Sequence, residues 1–183
     1  MDSALLVIGY GNTLRRDDGI GPTVAGDVER MRLPGVLTVA CHQLTPELAD
    51  PLSRAGAAVF VDAAVGHPGP VRMRRLIASG SSQILAHAAD PRGLLALARD
   101  AFGRAPEAWL LTVPAEDLGF GERLSRTAKR GLREAVLAVR ALHRRLLRRG
   151  QFSTPAERGR FPETCRRSTP ARRSRQACRA PGP

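Results

Sequence analysis

Two adjacent carboxylates, Asp17 and Asp18, follow an apolar run near the N-terminus. The run covers residues 5–8 and leads into a turn that contains Gly9 and Gly11, so the acids stand where a helix is about to begin. A helix N-terminus that receives phosphate does not carry acids, because phosphate and carboxylate repel each other. The pattern therefore predicts a loop that holds a cation.

A dinucleotide site is the first alternative for this segment. Its fingerprint is G-x-G-x-x-G between a strand and a helix. Gly9 and Gly11 supply the first two glycines, but Leu14 occupies the third position. The sequence therefore disfavours a Rossmann-type nucleotide site, although it retains the strand–turn–helix geometry.

Two distant residues can join Asp18 in one cluster. Asp62 ends the third apolar run, and His87 lies in a Gly/Ser-rich segment before another predicted helix. Sites in parallel sheets form beyond the carboxyl ends of the strands, so all three can meet at one sheet edge. Two carboxylates and one imidazole suit a borderline divalent cation such as nickel or zinc.

Each of these residues also has a simpler interpretation. Asp17 fits the N-cap of the following helix. Asp62 fits a strand-end acceptor for loop amides, and His87 fits an exposed loop residue. His143 stands among arginines on the last predicted helix, where we expect it to be solvated.

Alternating strand and helix patterns predict an α/β domain with a mainly parallel twisted sheet and helices on both faces. Predicted strands cover residues 5–8, 36–40, 57–61, 71–77 and 108–113. Helices are predicted over residues 20–31, from Thr45-Pro46, from Asp90-Pro91 and over 125–149. The helix starts rest on N-cap residues and on proline in the first turn.

Length and charge divide the chain into two parts. Its 183 residues are enough for one domain with a sizeable core, which we expect to end near Gly150. Residues 151–183 carry eight Arg against Glu157 and Glu163, which is half of the net charge of +12. This segment lacks apolar periodicity, so we predict a disordered tail that is dispensable for folding. Domain boundaries of 1–150 and 151–183 follow.

The arginine-rich tail raises a second alternative, a non-enzymatic protein that binds nucleic acid. Bases stack on aromatic side chains in many such proteins, but the chain contains only five Phe, one Tyr and one Trp. Runs of charge are often solvated tails. We therefore expect no nucleic-acid partner.

The spacing of the cysteines and the residues at the N-terminus predict where in the cell the protein is found. Cys41, Cys165 and Cys178 form no C-x-x-C pair, which predicts reduced thiols and no structural zinc site. Asp2 precedes the first apolar run where a signal peptide carries basic residues, and no run is long enough to span a membrane. These features predict a cytoplasmic protein without a membrane partner.

The N-terminal pattern Gly9-x-Gly11-Asn12-x-Leu14-x-x-Asp17-Asp18-Gly19-x-Gly21 resembles the signature of the [NiFe] hydrogenase maturation proteases. Further similar segments are Val59-Phe60-Val61-Asp62-Ala63-Ala64, Pro68-Gly69-Pro70-Val71, Trp109-Leu110-Leu111-Thr112-Val113-Pro114 and Gly119-Phe120-Gly121-Glu122-x-Leu124-Ser125. His87 follows at the corresponding place, and the resemblance covers residues 4–147.

The resemblance implies an aspartic-type endopeptidase, a hydrolase that removes the C-terminal extension of a nickel-loaded [NiFe] hydrogenase large-subunit precursor. It implies Asp18, Asp62 and His87 as contacts to nickel, and Asp17 as a capping or orienting residue. The nickel is implied to arrive within the substrate, and the free protein is expected to be monomeric. The residues that cleave the peptide bond stay unassigned. The metal as Lewis acid or water activator, and a scaffold that orients strained substrate, are both open.

Overall fold

The computed structural model describes residues 5–66, 69–79 and 90–149, and these form five strands, four α-helices and two short 3-10 turns. The strands are β1 (Leu5–Tyr10), β2 (Val36–Cys41), β3 (Ala57–Val65), β4 (Arg72–Leu76) and β5 (Glu107–Ala115). The helices are α1 (Ile20–Arg30), α2 (Ala49–Arg54), α3 (Pro91–Phe102) and α4 (Arg126–Arg148). The predicted α/β class is confirmed. His87 and the tail lie outside the described residues.

The strands form one sheet in the order β2-β1-β3-β5-β4. The first four strands in this order are parallel, and β4 pairs antiparallel with β5 at the edge. Strand β2 lies on one side of β1 in the sheet, and β3 lies on the opposite side. The carboxyl ends of β1 and β3 therefore diverge at a topological switch point, which is where open α/β sheets bind their ligands.

Helices cover both faces of the sheet, which explains why the central strands are apolar without alternation. On one face, Leu5 and Val7 of β1 pack in the same cluster as residues of α1 and α4. On the other face, Leu6 and Ile8 pack with residues of α2 and α3. Both faces of the central strands are therefore covered, and a site is expected at polar side chains near the carboxyl ends of β1 and β3.

Three local expectations needed correction. β3 continues to Val65, so Asp62 pairs with Thr112 inside the strand instead of ending it. The helix expected from Thr45-Pro46 begins as a 3-10 turn, Pro46–Leu48, and Thr45 makes no side-chain cap. His143 is buried, and its Nε2 lies 2.9 Å from the Pro34 carbonyl oxygen. It follows Leu142 on the buried stripe of α4, which outweighs its arginine neighbours in sequence.

Helix α4 begins as its sequence predicts. The Ser125 hydroxyl is the N-cap and accepts a hydrogen bond of 3.0 Å from the Ala128 N–H. The exposed face of the helix is strongly basic, with Arg130, Arg133 and Arg140 among its residues. Within the part of the chain that the structure describes, no helix has both the length and the apolar character to cross a bilayer.

Gly131 allows α4 to approach β5 closely, because a Cβ atom there would lie 2.6 Å from Val113 Cγ1. We expect Gly131→Ala to destabilise the fold by about 1–2 kcal/mol, since overpacking outweighs the gain in helix propensity. Gly26 in α1 is the matched control, because a Cβ there meets only an Arg30 nitrogen at 3.7 Å. Gly26→Ala should stabilise the protein by up to about 1 kcal/mol. Urea denaturation measures both, and equal effects of the same sign would contradict the packing argument.

Candidate functional site

Glycines in the N-terminal motif bring the start of α1 against the carboxyl ends of β1 and β3. A Cβ atom on Gly9 would lie 1.9 Å from the carbonyl oxygen of Gly21. A Cβ on Gly21 would lie 2.3 Å from the Tyr10 carbonyl oxygen and 2.6 Å from that of Val61. These clashes involve backbone atoms, which cannot move aside easily. The glycines therefore serve close packing of backbone, in place of the phosphate approach of a dinucleotide loop.

Asp17 is fully buried and accepts three hydrogen bonds from distant backbone. Its Oδ1 accepts from the Ser125 N–H at 2.7 Å, and its Oδ2 accepts from the N–H groups of Glu116 at 2.9 Å and Asp117 at 3.1 Å. The expectation that Asp17 caps its own helix is wrong, since neither Arg16–Gly19 nor α1 has a side-chain cap. Asp17 instead holds the segment that leads from β5 to α4.

The surroundings of Asp17 keep its carboxyl ionised. Burial alone raises the pKa, but the N–H groups of Ser125, Glu116 and Asp117, with the Ser125 hydroxyl, hold the pKa below its usual value. Hydrogen bonds that are made only to the charged form have this effect. Asp17 is therefore a structural anchor that is charged near neutral pH.

The motif loop and residues 116–121 are joined by backbone hydrogen bonds as well. The Arg16 N–H donates to the Gly121 carbonyl at 2.7 Å, and the Gly121 N–H donates to the Leu14 carbonyl at 2.9 Å. The Arg16 guanidinium pairs with the Asp117 carboxylate. The two loops therefore form one unit beside the carboxyl end of β1.

Asp18 has a different environment from its neighbour. Its side chain is half-buried, and its Oδ2 accepts a hydrogen bond of 2.9 Å from the Asn12 N–H. The Asn12 side chain in turn accepts from the Leu14 N–H at 2.9 Å. These contacts orient Asp18 within the loop that follows β1.

Asp62 lies across the switch point and is held by Tyr10. The Tyr10 hydroxyl donates to Asp62 Oδ2 at 2.9 Å. Gly9 pairs with Val61 in the parallel register, which places the last residue of β1 beside Asp62. Burial raises the pKa of Asp62, the hydrogen bonds from Tyr10 and the Ala63 N–H lower it, and the charge of Asp18 raises it further. The net shift is upward.

The sequence analysis did not single out Tyr10, which stands between the two glycines of the predicted turn. Burial and the nearby carboxylates of Asp62 and Asp90 raise the pKa of the Tyr10 hydroxyl, so it stays a neutral donor. The available signal was its register beside Asp62 at the switch point. A polar side chain at that position is a natural contact for the strand-end carboxylate.

Of the three expected metal contacts, Asp18 and Asp62 lie close enough for the charge of one to act on the other. His87 falls within residues 80–89, outside the described residues. Within residues 5–66, 69–79 and 90–149, no group of three or more His, Cys, Asp or Glu side chains is arranged to hold a metal ion. The described part of the site thus consists of two carboxylates, Asp18 after β1 and Asp62 in β3, each held by a hydrogen bond from the end of β1 or the loop that follows it. Such a pair favours a divalent cation, because the cation relieves the repulsion between like charges.

No protein-family model and no curated protein sequence matches this chain. Solved structures do match. The hydrogenase maturating endopeptidase HybD from E. coli aligns with a TM-score of 0.63 at 21% identity, over 78% of this chain and 93% of that one. The [NiFe] hydrogenase maturation protease HycI from Thermococcus kodakarensis aligns with a TM-score of 0.61 at 22% identity, over 77% and 93%.

A third match is the [NiFe] hydrogenase maturation protease HybD from Thermococcus kodakarensis, with a TM-score of 0.58 at 24% identity, over 76% of this chain and 98% of that one. At these identities the likeness concerns the fold. The resemblance that the motifs indicated is confirmed at that level: the chain has the fold of the [NiFe] hydrogenase maturation endopeptidases.

Proposed function

We propose that this protein is an endopeptidase that removes the C-terminal extension of a nickel-loaded [NiFe] hydrogenase large-subunit precursor. The observation that carries the proposal is the placement of Asp18 and Asp62 at the switch point of this fold, where Asn12 and Tyr10 hold them after neighbouring positions of β1 and β3. Nickel enters as part of the substrate, and the cell compartment is the cytoplasm. The free protein acts as a monomer.

The chain's own groups prepare the pair for a cation. Asn12 holds one Asp18 oxygen through its N–H, and Tyr10 holds one Asp62 oxygen through its hydroxyl. Each carboxylate keeps acceptor positions for other contacts, since a carboxylate has about four of them. Carboxylates of this kind, with an imidazole, form a donor set suited to nickel.

His87 is the proposed third contact. It precedes Asp90 by three residues, and the charge of Asp90 acts on the Tyr10 hydroxyl. The chain therefore returns to the neighbourhood of Tyr10 and Asp62 just after His87. This return of the chain supports the choice of His87 as the third contact.

The test is incubation of the purified protein with the nickel-loaded large-subunit precursor from the same organism, followed by mass spectrometry of the precursor. We expect a single shortened product, and the nickel-free precursor should stay intact. An unchanged mass of the nickel-loaded precursor would contradict the proposal. Nucleotide titration of the same preparation distinguishes the alternative, since saturable nucleotide binding would favour a nucleotide-binding domain.

A further inference from the structure

Two exposed apolar side chains stand on the paired loops beside the carboxylate site. Leu14 is 60% exposed and Phe120 is 89% exposed. The Gly121 N–H bonds to the Leu14 carbonyl, so the two residues lie on adjacent backbone segments. The Leu14 N–H donates to the Asn12 side chain, and the Asn12 N–H donates to Asp18, so two hydrogen bonds link the Leu14 backbone to the site. An apolar surface thus begins within a few residues of the proposed metal contact.

The loops that present these side chains are held in place. Arg15 Nε donates to the Leu118 carbonyl at 3.2 Å, and Arg16 Nε donates to the Phe120 carbonyl at 3.1 Å. The buried Asp17 also holds this segment, because its carboxylate accepts a hydrogen bond from the Asp117 N–H. Preorganised apolar anchors lose little conformational freedom when a partner covers them. This rigidity distinguishes the surface from an ordinary exposed loop.

A cleft of about 590 Å³ begins at Gly121, directly after Phe120 in the chain, and is lined by residues 121–125 with Arg16 and Asp117. A second cleft of about 180 Å³ reaches Thr13, directly before Leu14, and shares Arg16, Glu122 and Leu124 with the first. Leu14 and Phe120 therefore flank the clefts in the chain and do not line them. The charged lining residues are balanced in sign, two arginines against one Asp and one Glu. A neutral cleft with apolar anchors fits a polypeptide and gives no attraction to a polyanion.

We propose that Leu14 and Phe120 with this cleft form an exosite that binds an extended segment of the precursor polypeptide next to its scissile region. The inference rests on the proposed function, because the occupant is the polypeptide whose nickel would be bound at Asp18 and Asp62. The anchors add affinity for the precursor and do not touch the reacting bond. Their contribution therefore falls on KM, since it is made equally in the ground and transition states.

The test compares alanine variants that are matched in exposure. Leu14→Ala is paired with Leu137→Ala, because both leucines are 60% exposed, and Phe120→Ala is paired with Phe102→Ala on α3, where the ring is 50% exposed. Initial rates on the nickel-loaded precursor give kcat and KM. We expect KM to rise about tenfold for Leu14→Ala and Phe120→Ala with kcat within about twofold, and no change for the controls.

Unchanged KM in both loop variants, with cleavage by the wild type, would overturn the exosite and leave the proposed function intact. A fall in kcat alone would also overturn it. A second measurement uses Asp62→Asn as an uncleaving background, in which Phe120→Ala should weaken precursor binding about tenfold in surface plasmon resonance. If the wild type binds the precursor but cleaves none, and Phe120→Ala weakens that binding, the proposed endopeptidase activity fails while the exosite stands. If it neither binds nor cleaves, both fail.

Discussion

Asp62→Asn is expected to abolish cleavage of the nickel-loaded precursor while leaving the fold intact. Asparagine keeps the size of the side chain and one oxygen that can accept from the Tyr10 hydroxyl. It loses the negative charge that, together with Asp18, attracts a divalent cation. Loss of a residue that merely supports a metal ligand costs about 10–100-fold, so loss of a ligand should cost at least about 100-fold. Mass spectrometry of the precursor measures the rate.

The matched control for Asp62→Asn is Asp90→Asn. Asp90 is another carboxylate whose charge acts on Tyr10, but it is not a proposed metal contact. We expect the Asp90 variant to cleave at close to the wild-type rate, and both variants to unfold within a few degrees of the wild type. Complete cleavage by a well-folded Asp62→Asn protein would leave Asp62 with a structural role only.

Asp17→Ala is expected to be the most destabilising of the substitutions considered. The change removes a buried acceptor and leaves the N–H groups of Glu116, Asp117 and Ser125 without their partner. A single unsatisfied buried donor costs about 1–3 kcal/mol, and water entering the space recovers part of the total. We therefore expect a loss of about 3 kcal/mol, which lowers Tm by roughly 10 °C in a domain of this size.

The control for Asp17→Ala is Asp50→Ala. Asp50 is an exposed carboxylate that pairs with Arg54 one turn later on α2. Such surface pairs contribute little, so the expected loss is below about 1 kcal/mol. Thermal unfolding followed by circular dichroism compares the two variants. Equal stability of Asp17→Ala and wild type would mean that the loop from β5 to α4 is held by its other contacts alone.

The different roles of the adjacent acids Asp17 and Asp18 could not be predicted from the sequence. The pattern predicted a cation-binding loop and left Asp17 as a cap of its own helix. In the structure the two carboxylates have different surroundings. Asp17 is buried under a loop some hundred residues later in the chain, and Asp18 lies in the loop after the carboxyl end of β1. Nothing local distinguishes them, because each is an acid before a glycine-rich helix start. Their roles depend on which distant N–H groups the fold brings near.

The expectation for His143 was wrong, and Tyr10 received none, for a related reason. The charge of neighbouring arginines suggested an exposed His143, but side chains on a helix are sorted by angle around the axis and not by adjacency. Tyr10 gained its role only when β3 was placed next to β1, since sheet order decides which strand-end residues become neighbours. Neither placement is encoded within a window of a few residues.

The sequence by itself determined the elements of this protein. Unbroken apolar runs predict strands that are buried on both faces, and apolar residues at helical spacing predict the helices that cover them. Those signals are local, because burial of a side chain depends on the period of its own segment. The sequence also predicted that Asp18 and Asp62 could meet, but the strand order, the Tyr10 contact to Asp62 and the burial of Asp17 were decided only by the tertiary structure. They depend on contacts between residues far apart in the chain, and such contacts form only when the whole sheet has assembled.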